Sequence, residues 1–174
     1  MSGETCTSCR KSKNLAKCDV CEGIFCKDCV QFLEPGSFSF RKEVPEILTK
    51  SRYCGGCFDT HVGPALEAYQ EVMVRAKKVF FFFSTQKASI HMLKRAKEKY
   101  RVEKCVDRDE TILRLGFLAA EQGYNAVFDG DIVYTKVRDN AGYQRTHWSG
   151  TAYGALVDGE RLEKHLRLYE GAED

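Results

Sequence analysis

The chain has 174 residues, 43% of them apolar and 30% charged, with a formal charge of +2, 9 cysteines and only 3 prolines. This is a globular mixture without a Pro-rich linker, without the basic excess of a dedicated polyanion binder, and without a run approaching the ~20 apolar residues that span a bilayer. The N-terminus has neither the basic start nor the apolar stretch of an export signal, so the expected compartment is the reducing cytoplasm.

In chain order the cysteines come first. Eight lie between Cys6 and Cys57 as four identical pairs: Cys6-x2-Cys9, Cys18-x2-Cys21, Cys26-x2-Cys29 and Cys54-x2-Cys57. Two intervening residues let both sulfurs of a tight turn face one ion, with Zn–S near ~2.3 Å. A disulfide framework suits this spacing poorly, and a redox CxxC is normally a single pair. The expectation is two tetrahedral zinc sites with four cysteine ligands each. Consecutive pairing would give two separate ribbons. Interleaved pairing puts Cys6, Cys9, Cys26 and Cys29 on one ion, and Cys18, Cys21, Cys54 and Cys57 on the other. Only four residues separate Cys21 from Cys26, which favours interleaving, because the segment then crosses from one site to the next.

The run Cys18-Asp-Val-Cys21-Glu-Gly-Ile-Phe-Cys26-Lys-Asp-Cys29, followed by Arg52-Tyr53-Cys54-Gly-Gly-Cys57, resembles the FYVE zinc finger over residues 4–60. Phe25 stands before the fifth cysteine and Arg52 two before the seventh, as in that family. PHD fingers, with a usual His at the fifth ligand, and RING fingers, with a tighter third pair, match less well. The resemblance implies a phosphoinositide ligand, for which Lys13, Lys17 and Arg52 are the candidate residues. Other residues oppose that ligand. Around the third cysteine the chain reads Asn14-Leu-Ala-Lys-Cys18-Asp19, with one basic residue where the family has several, and Leu15 is the only large apolar residue for a lipid-inserting loop. Charge points the same way: eight thiolates and two Zn²⁺ move the formal charge of the chain from +2 to −2, and that of residues 1–60 from +1 to −3. Between the last two pairs, Phe32, Leu33, Phe38, Phe40, Ile47 and Leu48 are expected to cap the small core.

Residues 61–78 read as a connecting helix. Pro64 suits its first turn, and Leu66, Tyr69, Met73 and Ala76 form one apolar face. Val79–Phe83 reads as a strand buried on both faces. Ser89–Tyr100 reads as a helix with Ile90, Leu93 and Ala96 inward and a solvated basic face of Lys94, Arg95, Lys97 and Lys99. A short strand at Arg101–Val106 precedes Asp107-x-x-Glu110, which has the form of a capping box for a helix over Ile112–Gln122 closed by Gly123. Ala126–Val137 and Tyr143–Val157 read as hairpin strands around the turn Asp139-Asn-Ala-Gly142. A last helix is expected over Gly159–Tyr169. The fold class is therefore α+β: a finger at 1–60, the connecting helix, and a domain over 79–174 with a mixed sheet and a C-terminal hairpin.

Within that second half, Gly123-Tyr-Asn-Ala-Val127 and Ser149-Gly-Thr-Ala152 resemble a small bacterial domain family labelled heavy-metal-binding, over about residues 108–158. The resemblance implies closed homo-oligomers. The soft ligands on offer here, Cys105, His91, His147 and His165, show no chelating spacing. Catalytic options are thin. The best are a Cys105–His pair with Lys104 beside the thiol, and Asp129 with Asp131 on one strand face. The sequence thus points to a non-catalytic zinc-binding module that interacts with or scaffolds a protein partner. Nucleic acid is not expected as a ligand. Phosphoinositide-dependent membrane recruitment and RING-like ubiquitin ligase activity are the rival functions.

Overall fold

The structure, a computed structural model, describes residues 4–86, 91–138 and 142–162. It is α+β, and the chain divides into two compact units, residues 1–71 and 72–174.

The first unit contains two hairpins of three-residue strands. β1 (Leu15–Lys17) pairs antiparallel with β2 (Ile24–Cys26), and β3 (Val30–Phe32) with β4 (Arg52–Cys54). The loop between β3 and β4 builds a small apolar cluster of its own. Leu33, Phe38, Leu48 and Tyr53 are buried there. Tyr53 donates its hydroxyl to the carbonyls of Ile47 and Lys50 at 2.8 and 3.0 Å, so a fully enclosed phenol keeps its hydrogen bonds. Phe38 meets Tyr69 edge to face at 5.4 Å. Phe40 and Ile47 are half-buried, whereas Phe32 points outward with 64% of its surface exposed. Val30 is buried at the start of β3, whereas Gln31 and Phe32 are exposed, although Phe32 shares the Val30 face, because the buried cluster ends there.

After β4 the chain is helical from Gly55 onward, earlier than Pro64 signals. A single turn at Gly55–Cys57 leads into a wide stretch, Phe58–Val62, and then into α1 (Gly63–Ala76). The Gly63 N–H donates to the Phe58 carbonyl five residues back. Pro64 has no N–H for the regular ladder, and the widened turn before it accommodates that loss. On α1 the expected face is present: Tyr69 and Ala76 are buried and Leu66 and Met73 half-buried, with buried Val72 added.

The second unit is a four-stranded mixed sheet with α2 (Arg108–Glu121) on one face. The strands are β5 (Phe80–Phe83), β6 (Met92–Cys105), β7 (Ala126–Arg138) and β8 (Gln144–Val157), in the order β5-β7-β8-β6. β5 runs parallel to β7, and the other pairs are antiparallel. The phenylalanines of β5 divide by the period of two. Phe81 joins the cluster under α2 with Leu115, Ala119, Val127 and Ala152, while Phe80 and Phe82 join Ala126, Ala155 and Val157. All four are half-buried rather than enclosed, because β5 lies at a sheet edge.

The expected helix at Ser89–Tyr100 is wrong. Residues 87–90 lie outside the described set, and from Met92 onward the chain is strand as far as Cys105. Lys, Arg, Glu and Ala favour helix locally, but here they decorate an outer strand, where lysines discourage pairing with another chain. Only Ala96, Tyr100 and Cys105 are buried. Register shifts between Arg95 and Lys99 and between Val102 and Cys105 break the two-residue period that would have marked a strand.

α2 begins as the capping pattern predicts. Asp107 Oδ1 accepts from the Glu110 N–H at 2.7 Å, and Glu110 Oε2 accepts from the Val106 N–H at 2.6 Å. It ends at Gly123, whose φ of +80° is left-handed, with the Tyr124 N–H returning to the Ala119 carbonyl. The turn residues 139–141 and the expected last helix beyond residue 162 lie outside the described residues; 159–162 are helical.

Two of the short motifs have structural roles. Asn125 Nδ2 donates to the Val157 carbonyl at 2.9 Å and its Oδ1 accepts from the Val157 N–H at 2.8 Å, fixing the end of β8 beside the start of β7. Gly150 lets α2 approach: a Cβ there would stand 2.7 Å from Thr111 Cγ2 and 3.0 Å from Leu115 Cδ1. Gly150→Ala should destabilise the second unit by about 1–3 kcal/mol through overpacking, and Asn125→Ala by about 1–3 kcal/mol through two orphaned backbone groups. Urea unfolding monitored by tryptophan fluorescence measures both, and unchanged midpoints would contradict the packing described.

Candidate metal centres

The eight paired cysteines converge into two groups, and they do so in interleaved order. Cys6, Cys9, Cys26 and Cys29 form one group, Cys18, Cys21, Cys54 and Cys57 the other, with all sulfurs of each group within 4.8 Å of one another. Their positions follow from the hairpins. The turn joining β1 to β2 carries Cys18 and Cys21, while β2 ends on Cys26 of the other group. β3 starts directly after Cys29 and pairs with β4, which ends on Cys54, so Val30 faces Cys54. Each hairpin therefore reaches from one group to the other.

The two N-terminal turns are built alike. The Cys6 N–H donates to the Lys11 carbonyl and the Cys18 N–H to that of Gly23, at 2.8 and 2.9 Å. The Arg10 N–H returns to Cys6 and the Glu22 N–H to Cys18, at 2.9 and 3.0 Å. Arg10 and Glu22 both have φ of 59°, a left-handed conformation in a position better suited to glycine. Nothing in the sequence flags these two residues, because neither type signals a turn of this hand.

The sulfurs are arranged for ionisation. Burial raises the thiols of Cys6 and Cys18, but backbone N–H groups outweigh it and lower each to about 6: those of Cys9, Cys26 and Ser8 at the first, and of Cys21, Cys54 and Val20 at the second. The Cys54 N–H lies 3.3 Å from Cys18 Sγ, and the Cys57 N–H 3.4 Å from Cys54 Sγ at the start of the helical segment, where negative charge is favoured. Further ionisation is resisted. Cys29 is pushed up to about 12 by the neighbouring sulfurs of Cys26 and Cys9, and Cys57 to about 12 by burial and then by Cys54 and Cys21. One thiol of each group thus ionises easily, while the raised thiols of Cys29 and Cys57 resist further charge unless a cation is present.

Geometry fits such a cation. Four sulfurs about 2.3 Å from a tetrahedral centre stand about 3.8 Å apart; Cys9 and Cys26 are 3.4 Å apart, and Cys21 and Cys54 3.8 Å. Each group can hold one metal ion, and four soft thiol donors suit a thiophilic one. Among the described residues no other group of three or more His, Cys, Asp or Glu gathers in this way.

An ion pair borders each group. Lys11 Nζ lies 3.0 Å from Asp28 beside the first. At the second, Asp19 Oδ1 accepts from Arg52 Nη2 at 2.9 Å, and Oδ2 accepts from the backbone N–H groups of Arg52 and Ser51 at 2.9 and 3.3 Å. The Arg52 side chain and these N–H groups hold the Asp19 carboxyl below its ordinary range. This changes the reading of Arg52: its guanidinium fastens β4 to the Cys18 turn. Lys13 and Lys17 are exposed, and Leu15 is half-buried against the sulfur cluster instead of projecting.

The remaining sequence candidates do not assemble. Cys105 is 1% exposed and burial raises its thiol, the reverse of an activated nucleophile. His91 is exposed before β6, His147 is half-buried on β8 opposite Thr135, and His165 lies outside the described residues. Asp129 and Asp131 do not form the expected alternate pair. The strand bulges between Phe128 and Asp131, and Asp129 takes a φ of 55° and sits 3.8 Å from Lys99. Gly130 permits the bulge, since a Cβ there would stand 2.5 Å from the Phe81 ring. No helix among the described residues is long and apolar enough to cross a membrane. Comparison of the chain with protein-family profiles, curated proteins and solved structures finds no match.

Asp19→Ala removes the acceptor of two backbone N–H groups, whereas Arg52→Ala removes only a half-exposed ion-pair partner. Asp19→Ala should cost about 1–3 kcal/mol and Arg52→Ala under about 1 kcal/mol. Metal retention against a graded chelator series should rank wild type, then Arg52→Ala, then Asp19→Ala; the reverse order would refute the clamp.

Proposed function

We propose that the chain is a two-zinc, non-catalytic interaction module whose finger is a structural or protein-binding unit. The observation that carries this is the interleaved pair of four-thiol groups joined by both hairpins. Such a donor set leaves no open coordination position, so a bound zinc has no water to activate and its contribution is to folding, on the order of 10 kcal/mol per ion. The buried, raised Cys105 thiol supports the non-catalytic part of the reading. The cross-brace order supports kinship with FYVE, PHD and RING fingers as a group.

Within that group a phosphoinositide ligand is disfavoured. Phosphate capture needs convergent cationic donors; Arg52 is engaged by Asp19, and Lys13 and Lys17 are then the cations left on the candidate surface. A protein partner is the better match to a finger whose thiolates leave it negative. Ubiquitin ligase activity stays a rival to be separated by an autoubiquitination assay.

Metal analysis of protein purified without chelator should give two zinc ions per chain. Interleaving makes a sharper demand. Cys26→Ser in the first group and Cys54→Ser in the second should each lower the content by more than one ion, because each site anchors a hairpin of the other. A loss of one ion from either variant would instead indicate independent ribbons, and a wild-type content well below two would remove the reading altogether. Flotation with vesicles with and without phosphatidylinositol 3-phosphate should show no difference; enrichment on the lipid would reinstate membrane recruitment.

A further inference from the structure

The ribbon of β7 and β8 runs on past the strands that flank it. β5 follows β7 only to the Phe83–Gly130 pair, and β6 follows β8 only to the Cys105–Trp148 pair. β7 and β8 stay paired out to Arg138 opposite Gln144. Register fixes which residues share a face. Tyr134, Lys136 and Arg138, opposite Trp148, Thr146 and Gln144, lie on the side that Gly150 presents to α2. Asp131, Val133, Thr135 and Val137 lie on the other.

The first of these faces joins two chemistries. Tyr134 and Trp148 are directly opposed, with ring centroids 5.3 Å apart at a tilt of 45°. Trp148 is half-buried, and Tyr134 keeps 59% of its surface exposed. Lys136 and Arg138 follow along the strand at steps of about 7 Å, both exposed. Among the described residues no carboxylate pairs with either cation. Thr146 and Gln144 opposite them add hydrogen-bonding groups without charge. The carboxylates at the start of α2 are engaged elsewhere. Asp107 accepts the Glu110 N–H, Glu110 holds the Val106 N–H and Arg114, and Asp109 borders the cleft formed with Ala76, Val79 and Ile112.

We propose that this face binds single-stranded nucleic acid, with a base stacked on the Tyr134–Trp148 pair and backbone phosphates on Lys136 and Arg138. Planar rings followed by cations match a chain in which bases alternate with phosphates. A duplex keeps its bases stacked on each other, so only an unpaired strand can use the rings. An acidic peptide would engage the cations and leave the rings in water. A bilayer fits less well. Val133 and Val137, the exposed apolar residues of the ribbon, lie on the face opposite Lys136 and Arg138, so one orientation cannot bury the valines and bring these cations to lipid head groups. The turn, Asp139-Asn-Ala-Gly142 in sequence, offers no large apolar residue to insert. Sequence alone gives no sign of such a ligand, because the turn separates Tyr134 from Trp148 and only cross-strand pairing unites them. The basic run that stands out in the sequence is on β6, where Lys99 and Arg101 are already met by Asp129 and Glu103. This surface is independent of the metal reading.

The test uses the full-length, metal-loaded chain and its single tryptophan, Trp148. Titration with oligouridylate or oligothymidylate should quench its emission saturably, and comparison of the two tells RNA from DNA. Two phosphate contacts on a single strand should give a log–log salt slope of about −1.4. Tyr134→Ala, at an exposed position, should weaken binding roughly 5- to 100-fold with an unchanged circular dichroism spectrum. Lys136→Ala combined with Arg138→Ala should weaken it and flatten the salt slope, whereas Val137→Ala on the opposite face should leave it unchanged. No quenching up to about 1 mM oligonucleotide, equal binding of a duplex, or equal loss in Val137→Ala would each overturn the site. Competition by polyglutamate or phosphatidylserine vesicles as effective as that by nucleic acid would overturn it as well.

Discussion

The finger depends on the mutual repulsion of sulfurs that the fold forces together. The cluster between its hairpins holds little hydrocarbon: of the six buried members, Cys6, Cys18, Cys26 and Cys54 are cysteines, and only Phe25 and Val30 are hydrocarbon. All four strands have three residues. Hairpins of that length do not persist in water by themselves. Backbone N–H groups ease ionisation at Cys6 and Cys18, whereas neighbouring sulfurs at Cys29, and burial with neighbouring sulfurs at Cys57, oppose it, and a central dication would turn that opposition into attraction. The local details serve this one balance, from the twin left-handed residues Arg10 and Glu22 to the Asp19 clamp.

Much of this was legible in the sequence, since cysteine spacing constrains sulfur positions more tightly than propensity constrains backbone. The four-residue gap between Cys21 and Cys26 sufficed to favour interleaving, because a three-residue strand fits between the two groups and a complete independent ribbon does not. Asp107 and Glu110, and Gly123, likewise marked both ends of α2 by chemistry that works over a few residues. What sequence reasoning missed depends on distant partners. Arg52 presents as a free cation until Asp19, 33 positions away, is seen to hold it. Asp129 and Asp131 looked like face-sharing neighbours until a bulge, permitted by Gly130 under Phe81, broke the alternation.

β6 is the instructive failure. Its residues favour helix locally, and its buried positions, Ala96, Tyr100 and Cys105, repeat at intervals of four and five. Two register shifts produce that spacing, so the sequence imitates a helical stripe while the chain forms an edge strand. Tertiary context decides the matter: β8 offers an unpaired ladder, and α2 needs Tyr100 and Ala96 beneath it.

Interleaving also has a consequence for how the finger is made. A chain synthesised from its N-terminus exposes Cys6, Cys9, Cys18 and Cys21 before any later cysteine exists, and these four are a complete ligand set belonging to two different sites. If each group holds a metal ion as proposed, an ion bound by that first quartet would have to be handed on, sulfur by sulfur, as Cys26 and Cys29 and then Cys54 and Cys57 emerge, and Cys9 and Cys21, the exposed member of each group, are the sulfurs from which that exchange would begin.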